Sequence, residues 1–324
     1  MPDIHFDSEG FPSPGPVSNG PAVLSVNWDD LLWAAITVGR PSRHFVFQHG
    51  VASLYEALFR ASALRMTLEQ GSPTAGRLRR TAVAKSLDPS EKGAVNYFLG
   101  LTLCKLFAEM KLGAPWLLHL DVFRSQLNPT LLGGRSRPDL VGQTNNGAWV
   151  ALESKGRASS PAEDVKVKAK QQAERLIAVN GTLVQFRIGA FAYFKNDTLR
   201  FFWRDPQPDG VEPRNPIRLK VTDDIFWRHY YQPILALVGS DQAAKIEHDD
   251  IPVPIKEADL KIKILPEVMR LLRLEKWQDV GHWCMEHKIA LAKGEFHGDG
   301  VQIIAGDSWT KRFEESLESL SDSL

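Results

Sequence analysis

Two acids and a lysine stand out in the stretch from Arg137 to Arg157, "RPDLVGQTNNGAWVALESKGR". Asp139 opens one apolar segment, Glu153 and Lys155 close a second, and "TNNG" lies between them. Asn and Gly tolerate the positive φ of tight turns, so the stretch predicts a β-hairpin. A three-residue turn from Asn145 to Gly147 places Asp139 directly opposite Glu153. Cross-strand partners have Cβ atoms about 4.5 to 5.5 Å apart, and two carboxylates that close repel, more so when buried. A divalent cation removes the conflict, because Mg²⁺ or Mn²⁺ takes clustered hard oxygens and its charge favours both carboxylates. Lys155 lies two residues beyond Glu153 and therefore on the same strand face. An ammonium there can hold an attacking water or hydroxide and stabilise the negative charge that builds on a phosphate in its transition state. Leu140, Val150 and Leu152 share the opposite face and can pack against a helix.

The same residues could make an ordinary hairpin, with Asp139 at a solvated strand end and Glu153 paired with Lys155, a weak interaction at a surface. Against that, the second segment is apolar from Trp149 to Leu152, a buried kind of strand that seldom carries an unmatched acid.

The elements around the hairpin follow from local signals. In "LDPSEKGAVNYFLGLTLCKLFAEMKLG", Asp88 suits the N-cap, Pro89 the first helical position and Glu91 the capping box, with a stop at Gly113. A strand is expected near 116 to 124, and "LNPTLLGGRSR" reads as a loop. After the hairpin, "SSPAEDVKVKAKQQAERLIAVNG" predicts a helix capped at Ser160 and ended by Gly181, with Val165, Ala169, Gln172 and Leu176 on one face. "VQFRIGAFAYFKNDTLRFFWRD" gives further strands around a "KND" turn. The predicted order is helix, three strands, helix, two strands.

Composition bounds the rest. The chain has 324 residues, 43% of them hydrophobic, and a formal charge of zero from 39 basic and 39 acidic residues. Basic surface must therefore be local. From Leu131 to Lys170 there are seven basic residues (Arg135, Arg137, Lys155, Arg157, Lys166, Lys168, Lys170) against four acids, and "RLRR" at 77 to 80 adds another cluster suited to a phosphodiester backbone. Only Cys104 and Cys284 occur, too few for a disulfide framework, which favours a reducing, cytoplasmic setting. "HWCMEH" at 282 to 287 lacks a fourth zinc ligand and reads as packing. His119 alternates within an apolar strand and reads as a core residue. No apolar run approaches the roughly 18 residues of a membrane span, so no membrane partner is expected. The expected organisation is a flexible N-terminal arm over 1–22, a helical region over 23–84, a core over 85–206, and a helical extension with an acidic tail over 207–324.

"RPD" followed by "ALESKGR" resembles the bipartite motif of the PD-(D/E)XK nuclease superfamily, and the order of elements over roughly 85 to 205 is similar to that family's αβββαβ core. The motif match is strict for about 20 residues. The resemblance implies an α/β restriction-endonuclease-like core with a central mixed sheet flanked by helices. It also implies Asp139 and Glu153 as metal ligands, the Ser154 carbonyl as a further ligand and Lys155 as the catalytic lysine. Members often add a glutamate from the first core helix, for which Glu91 or Glu109 could serve, and a glutamine on the following helix, for which Gln172 is better placed than Gln171. The tyrosine that RecB-type members carry after that glutamine is absent. The expectation is a Mg²⁺- or Mn²⁺-dependent nuclease acting on nucleic acid, foremost a DNA endonuclease. A homodimer is the oligomer this leaves open. The alternative is a non-catalytic nuclease-like module that binds nucleic acid or protein in a bacterial defence or mobile-element system.

Overall fold

Helix and hairpin signals place the central elements of the computed structural model, which describes residues 1–39, 52–71, 76–126, 137–205, 213–238, 252–293 and 296–310. The chain opens with strands β1 (Asp3–Glu9) and β2 (Gly20–Ser25), followed by helices α1 (Trp28–Thr37) and α2 (Ala52–Thr67). Short strands β3 (Leu68–Gln70) and β4 (Leu78–Arg80) and the turn-length helix α3 (Ala82–Ser86) lead into α4 (Pro89–Leu112). Helix α4 begins as predicted: Asp88 accepts from the Ser90 and Glu91 amides, Glu91 reaches back to the Asp88 amide, and Gly113 ends it at φ 60°.

Strand β5 (Trp116–His119), a 3-10 segment (Leu120–Gln126), β6 (Leu140–Gln143) and β7 (Trp149–Arg157) come next. The Asn145 to Gly147 turn is closed by the Thr144 amide donating to the Ala148 carbonyl, with Gly147 at φ 79°. The resulting register pairs Leu140 with Leu152 and Val141 with Ala151, the alignment expected from the sequence. Helix α5 (Glu163–Glu174), β8 (Leu176–Val179), β9 (Thr182–Lys195) and β10 (Thr198–Arg204) complete the central part. Asn196 and Asp197 take positive φ in the "KND" turn.

The protein is mixed α/β, with a central mixed sheet flanked by helices. Its main path runs β2-β1-β10-β9-β7-β6-β5. β5, β6 and β7 are antiparallel neighbours, β9 lies parallel to β7 across the α5 crossover, and β10 returns antiparallel to β9. Two glycines show which helix covers which face of β7 and β9. A Cβ on Gly156 would lie 1.6 Å from the Asn96 carbonyl oxygen of α4, and one on Gly189 would lie 2.8 Å from the Lys170 amide of α5. Gly189 pairs with Glu153, so α5 covers the face of Glu153 and Lys155, and α4 the face of Leu152, Ser154 and Gly156. Gly156→Ala is expected to destabilise by on the order of 3 kcal/mol or more, since the clash is with helix backbone and has no flexible side chain to yield. A urea titration would measure it, and an unchanged midpoint would contradict the close packing.

Five expectations need correction. The first 22 residues are not a flexible arm: β1 lies parallel to β10, and Ile4, Phe6, Phe11 and Val17 are buried. The 14 residues of "SSPAEDVKVKAKQQ" and beyond do not stay helical to Gly181; α5 ends at Glu174, because "LIAV" forms β8 between β9 and β11 (Ile217–Leu219). The strand expected near 116 to 124 stops at His119. The region after 206 also contains more than helices. Besides α6 (Asp223–Val238), α7 (Pro266–Arg273), α8 (Trp277–Glu286) and α9 (Lys288–Lys293), it builds a three-stranded sheet in the order β12 (Val253–Ile255), β13 (Leu260–Ile264) and β14 (Val301–Ala305). The 23–84 region likewise includes β3 and β4. Residues 127–136 of the "LNPTLLGGRSR" loop, Arg135 among them, and the acidic tail lie outside the described residues. No helix among the described residues is long and apolar enough to cross a membrane.

Candidate active site

Asp139 immediately precedes β6, and Glu153 sits at the midpoint of β7, an interior strand of the sheet. The hairpin register carries one step beyond Leu140 and Leu152 and sets them face to face. Their carboxylates interlock with the opposing backbone: the Asp139 amide donates to Glu153 Oε2 at 3.1 Å, and the Ser154 amide donates to Asp139 Oδ2 at 3.0 Å. The Leu120 amide donates to the Asp139 carbonyl at 2.8 Å and fixes that residue from the β5 side. In a strand a residue's carbonyl points to the same neighbour as its N–H, so the Ser154 carbonyl is turned toward Asp139.

Glu153 is 1% exposed. Its Oε1 contacts the Lys155 ammonium as an ion pair, yet no donor reaches it with hydrogen-bond geometry. Burial, and after it the Asp139 charge, pushes its pKa up to about 8, with Lys155 acting in the opposite direction. The folded protein therefore keeps a proton that the unfolded chain has released above its ordinary value of 4.5. Stability from this group is present below that value and is lost as pH rises toward 8. Metal-free wild-type protein is thus expected to lose on the order of 1 kcal/mol per pH unit between pH 5 and 8 from this residue. In Glu153→Gln that component should vanish. Urea midpoints at several pH values would check it, and parallel slopes for the two proteins would contradict the burial argument.

The fit to a cation can be tested on these oxygens. Glu153 Oε1 has the Lys155 ammonium as its ion-pair partner and no donor in hydrogen-bond geometry, and Asp139 Oδ1 takes no hydrogen bond from any described residue. Among the described residues, no group of three or more His, Cys, Asp or Glu side chains converges as a metal site. Two carboxylates suit Mg²⁺, which keeps several of its own waters and often binds through one or two.

The accessory residues divide. Glu91 is exposed and hydrogen-bonded within its capping box, so the structure does not bring it to the carboxylates. Glu109 is also elsewhere: its Oε1 accepts from the Gly298 amide at 2.8 Å, beside His297. Gln172 is half-buried on α5. Lys166 and Lys170 of the same helix lie toward β10, over the Phe202 ring and at Asp205, so at 3.6 residues per turn Gln172 falls on the flank toward β7. No hydrogen bond joins it to Asp139, Glu153 or Lys155.

Sequence reasoning missed Tyr97 and Cys104 on α4, which sense the carboxylates. Burial and then the Asp139 charge raise both pKa values, and Cys104 also meets Ser154. The seven basic residues are not equivalent either. Lys170 is 4% exposed and bound to Asp205 and the Arg187 carbonyl, and Arg137 is paired with Asp121. Neither is a free phosphate contact. His119 is buried, with its Nδ1 accepting from the Asp121 amide, and burial lowers its pKa. His282 and His287 are exposed while Cys284 is fully buried against Tyr231, so "HWCMEH" does not converge. Compared with protein-family models, curated proteins and solved structures, the chain matches none, and its chemistry has to be read from its own geometry.

Proposed function

We propose that the chain is a metal-dependent nuclease that hydrolyses phosphodiester bonds, foremost a DNA endonuclease, with a restriction-endonuclease-like core formed by α4, β5, β6, β7, α5 and β9. One observation carries this reading: the hairpin register that seats Asp139 against a buried Glu153, with Lys155 touching the same carboxylate. A surface hairpin has no need of a buried glutamate whose pKa is raised by burial and a neighbouring carboxylate. The antiparallel β5-β6-β7 meander followed by a parallel β9 is the arrangement expected of such a core.

Asp139 and Glu153 would hold Mg²⁺ or Mn²⁺, with the Ser154 carbonyl as a further oxygen. Bound there, the ion would acidify a water and neutralise charge on the phosphate. Lys155 is about one-third exposed at its side chain, so its ammonium can reach a water or phosphate oxygen while staying beside Glu153. Its positive charge favours a hydroxide nucleophile and the negative charge that accumulates on the phosphoryl oxygens. Asp139 and Glu153 are fixed by backbone amides, which leaves little reorganisation for the reaction.

The lack of a third acidic side chain among the described residues favours a second reading, a non-catalytic nuclease-like module that binds nucleic acid or protein. Two measurements separate them. Supercoiled, linear and single-stranded DNA, and RNA, incubated with Mg²⁺ should show cleavage that EDTA stops. Calorimetry should show Mg²⁺ binding that Asp139→Ala removes. Absence of both would leave the binding module.

A further inference from the structure

The sheet face that carries Glu153 and Lys155 continues beyond them, and its side chains change from acidic to basic. Arg157 pairs with Tyr193, Tyr193 with Arg200, and Arg200 with His5. One level further along, Lys195 pairs with Thr198 and Thr198 with Arg79 of β4. Directly paired residues share a face, and side chains repeat every second residue. Arg157, Arg200, Lys195, Arg79 and Arg77 therefore all lie on the face of Lys155.

Among the described residues, none of these five side chains forms an ion pair or hydrogen bond. Arg157, Lys195, Arg79 and Arg77 are exposed. Arg200 is half-buried, and its Nε is buried without an acceptor. Other cations nearby are matched: Arg80 and Lys85 share Asp197, Arg204 is held by Glu9 and Glu163, and Lys170 by Asp205. A half-buried guanidinium without an acceptor is costly unless an anion arrives from outside. His5 reports the same local potential: burial, then Arg200 and Arg77, hold its pKa below the ordinary value. Asp3, which accepts from Ser25 Oγ, and the exposed Asp7 bound the row on its β1 side.

We propose that Arg157, Arg200, Lys195, Arg79 and Arg77 form a track for the phosphodiester backbone of the substrate, leading from Lys155 toward the ends of β9 and β4. The proposal rests on the nuclease reading and adds where the strand runs. From Lys155 to Arg79 the track crosses three strand spacings and four residues, roughly 15 to 20 Å, or about five base pairs of duplex rise. It offers charge and little base-edge chemistry, so it selects nucleic acid by backbone rather than by sequence. Strands β4 and β10 bring Arg77, Arg79 and Arg200 to the site, which gives the region before α4 a functional reason to pair with the sheet.

The test measures binding separately from cleavage, by anisotropy of labelled duplex and single-stranded DNA with the full chain carrying Lys155→Ala in Mg²⁺. Adding Arg157→Gln and Arg79→Gln should weaken binding at least tenfold at low salt. It should also flatten the slope of log K against log salt by about 1.8 on duplex or about 1.4 on single strands. Lys220→Gln with Lys261→Gln, which removes two exposed cations elsewhere, should change neither. Both track arginines are exposed, so melting curves should match the parent; Arg200→Lys, which keeps the charge, should retain most of the affinity. A folded Arg157→Gln/Arg79→Gln protein with unchanged affinity and slope overturns the track. If the track variants lose binding but wild-type protein never cleaves, the track stands and the nuclease reading falls. If wild-type protein cleaves while the variants cut with unchanged KM and salt dependence, the nuclease reading stands and the track falls.

Discussion

Lys155→Ala is expected to lower single-turnover cleavage by roughly 10²- to 10³-fold, the scale seen when one preorganised stabiliser of transition-state charge is removed. Mg²⁺ affinity should survive, because the ammonium touches Glu153 Oε1 and supplies no ligand atom. Removing it even frees that oxygen, although Glu153 then keeps its proton to higher pH for want of the opposing charge. Asp139→Asn should behave differently. The amide still accepts from the Ser154 amide, so the hairpin survives, but the negative charge that a cation needs is halved, and metal binding and cleavage fall together. Single-turnover cleavage and calorimetry on the two variants distinguish the roles. Loss of Mg²⁺ binding in Lys155→Ala, or undiminished cleavage in Asp139→Asn, would overturn the assignment.

The register that sets Asp139 against Glu153 was legible in the sequence, and the reason is local. Asn145, Asn146 and Gly147 form a turn whose length is set by a few backbone hydrogen bonds, so the pairing of Asp139 with Glu153 needed no information from elsewhere in the chain. The capping box at Asp88 and Glu91 and the positive-φ turn at Asn196 and Asp197 were legible for the same reason. What escaped depends on partners far along the chain. β1 reads as part of a Pro- and Gly-rich arm, and only its parallel pairing with β10, nearly two hundred residues away, makes it a strand. "LIAV" suits a helix or a strand equally, and β11 decides. Strands β12, β13 and β14 have three to five residues each, too short for a clear period of two.

The site itself was legible only through its charged side chains. Glu153 announced itself as an acid in an apolar strand. Tyr97 and Cys104 did not, since a tyrosine and a cysteine on a largely apolar helix look like packing. The basic residues were counted correctly but not sorted: whether a cation is spent internally, like Lys170, or left unpaired, like Arg157 and Arg200, is a property of tertiary neighbours. Lys105 is a charge in the middle of "LTLCKLFAEM", in the most apolar part of α4.

Asp299→Ala is expected to destabilise the protein strongly, on the order of 4 kcal/mol or more. Asp299 is fully buried and accepts from the Trp33 indole at 3.0 Å, the Tyr230 hydroxyl at 2.6 Å and the Val301 amide at 3.0 Å. Its removal leaves the buried Trp33 and Val301 donors unpaired, each worth about 1 to 3 kcal/mol, and Tyr230 with the Pro115 carbonyl as its remaining acceptor. It also strips the nearest negative charge from Lys105. That ammonium is fully buried, hydrogen-bonded to the Pro115 carbonyl and Tyr230 and packed over the Trp33 ring. Burial lowers its pKa to about 8, and Asp299 and Glu109 are what keep it from falling further. Lys105→Met alone should therefore also destabilise strongly, by leaving Asp299 uncompensated. The double variant should lose less than the sum of the two, because each single change creates an unmatched buried charge that the second removes. Urea denaturation of the four proteins would measure the coupling, and strict additivity would contradict it. The residues involved come from α1, α4, α6 and the turn before β14, so the network spans the elements before, within and after the candidate catalytic core. Its loss should lower the melting of all of them in one transition, since no member of the network belongs to a separable part of the chain.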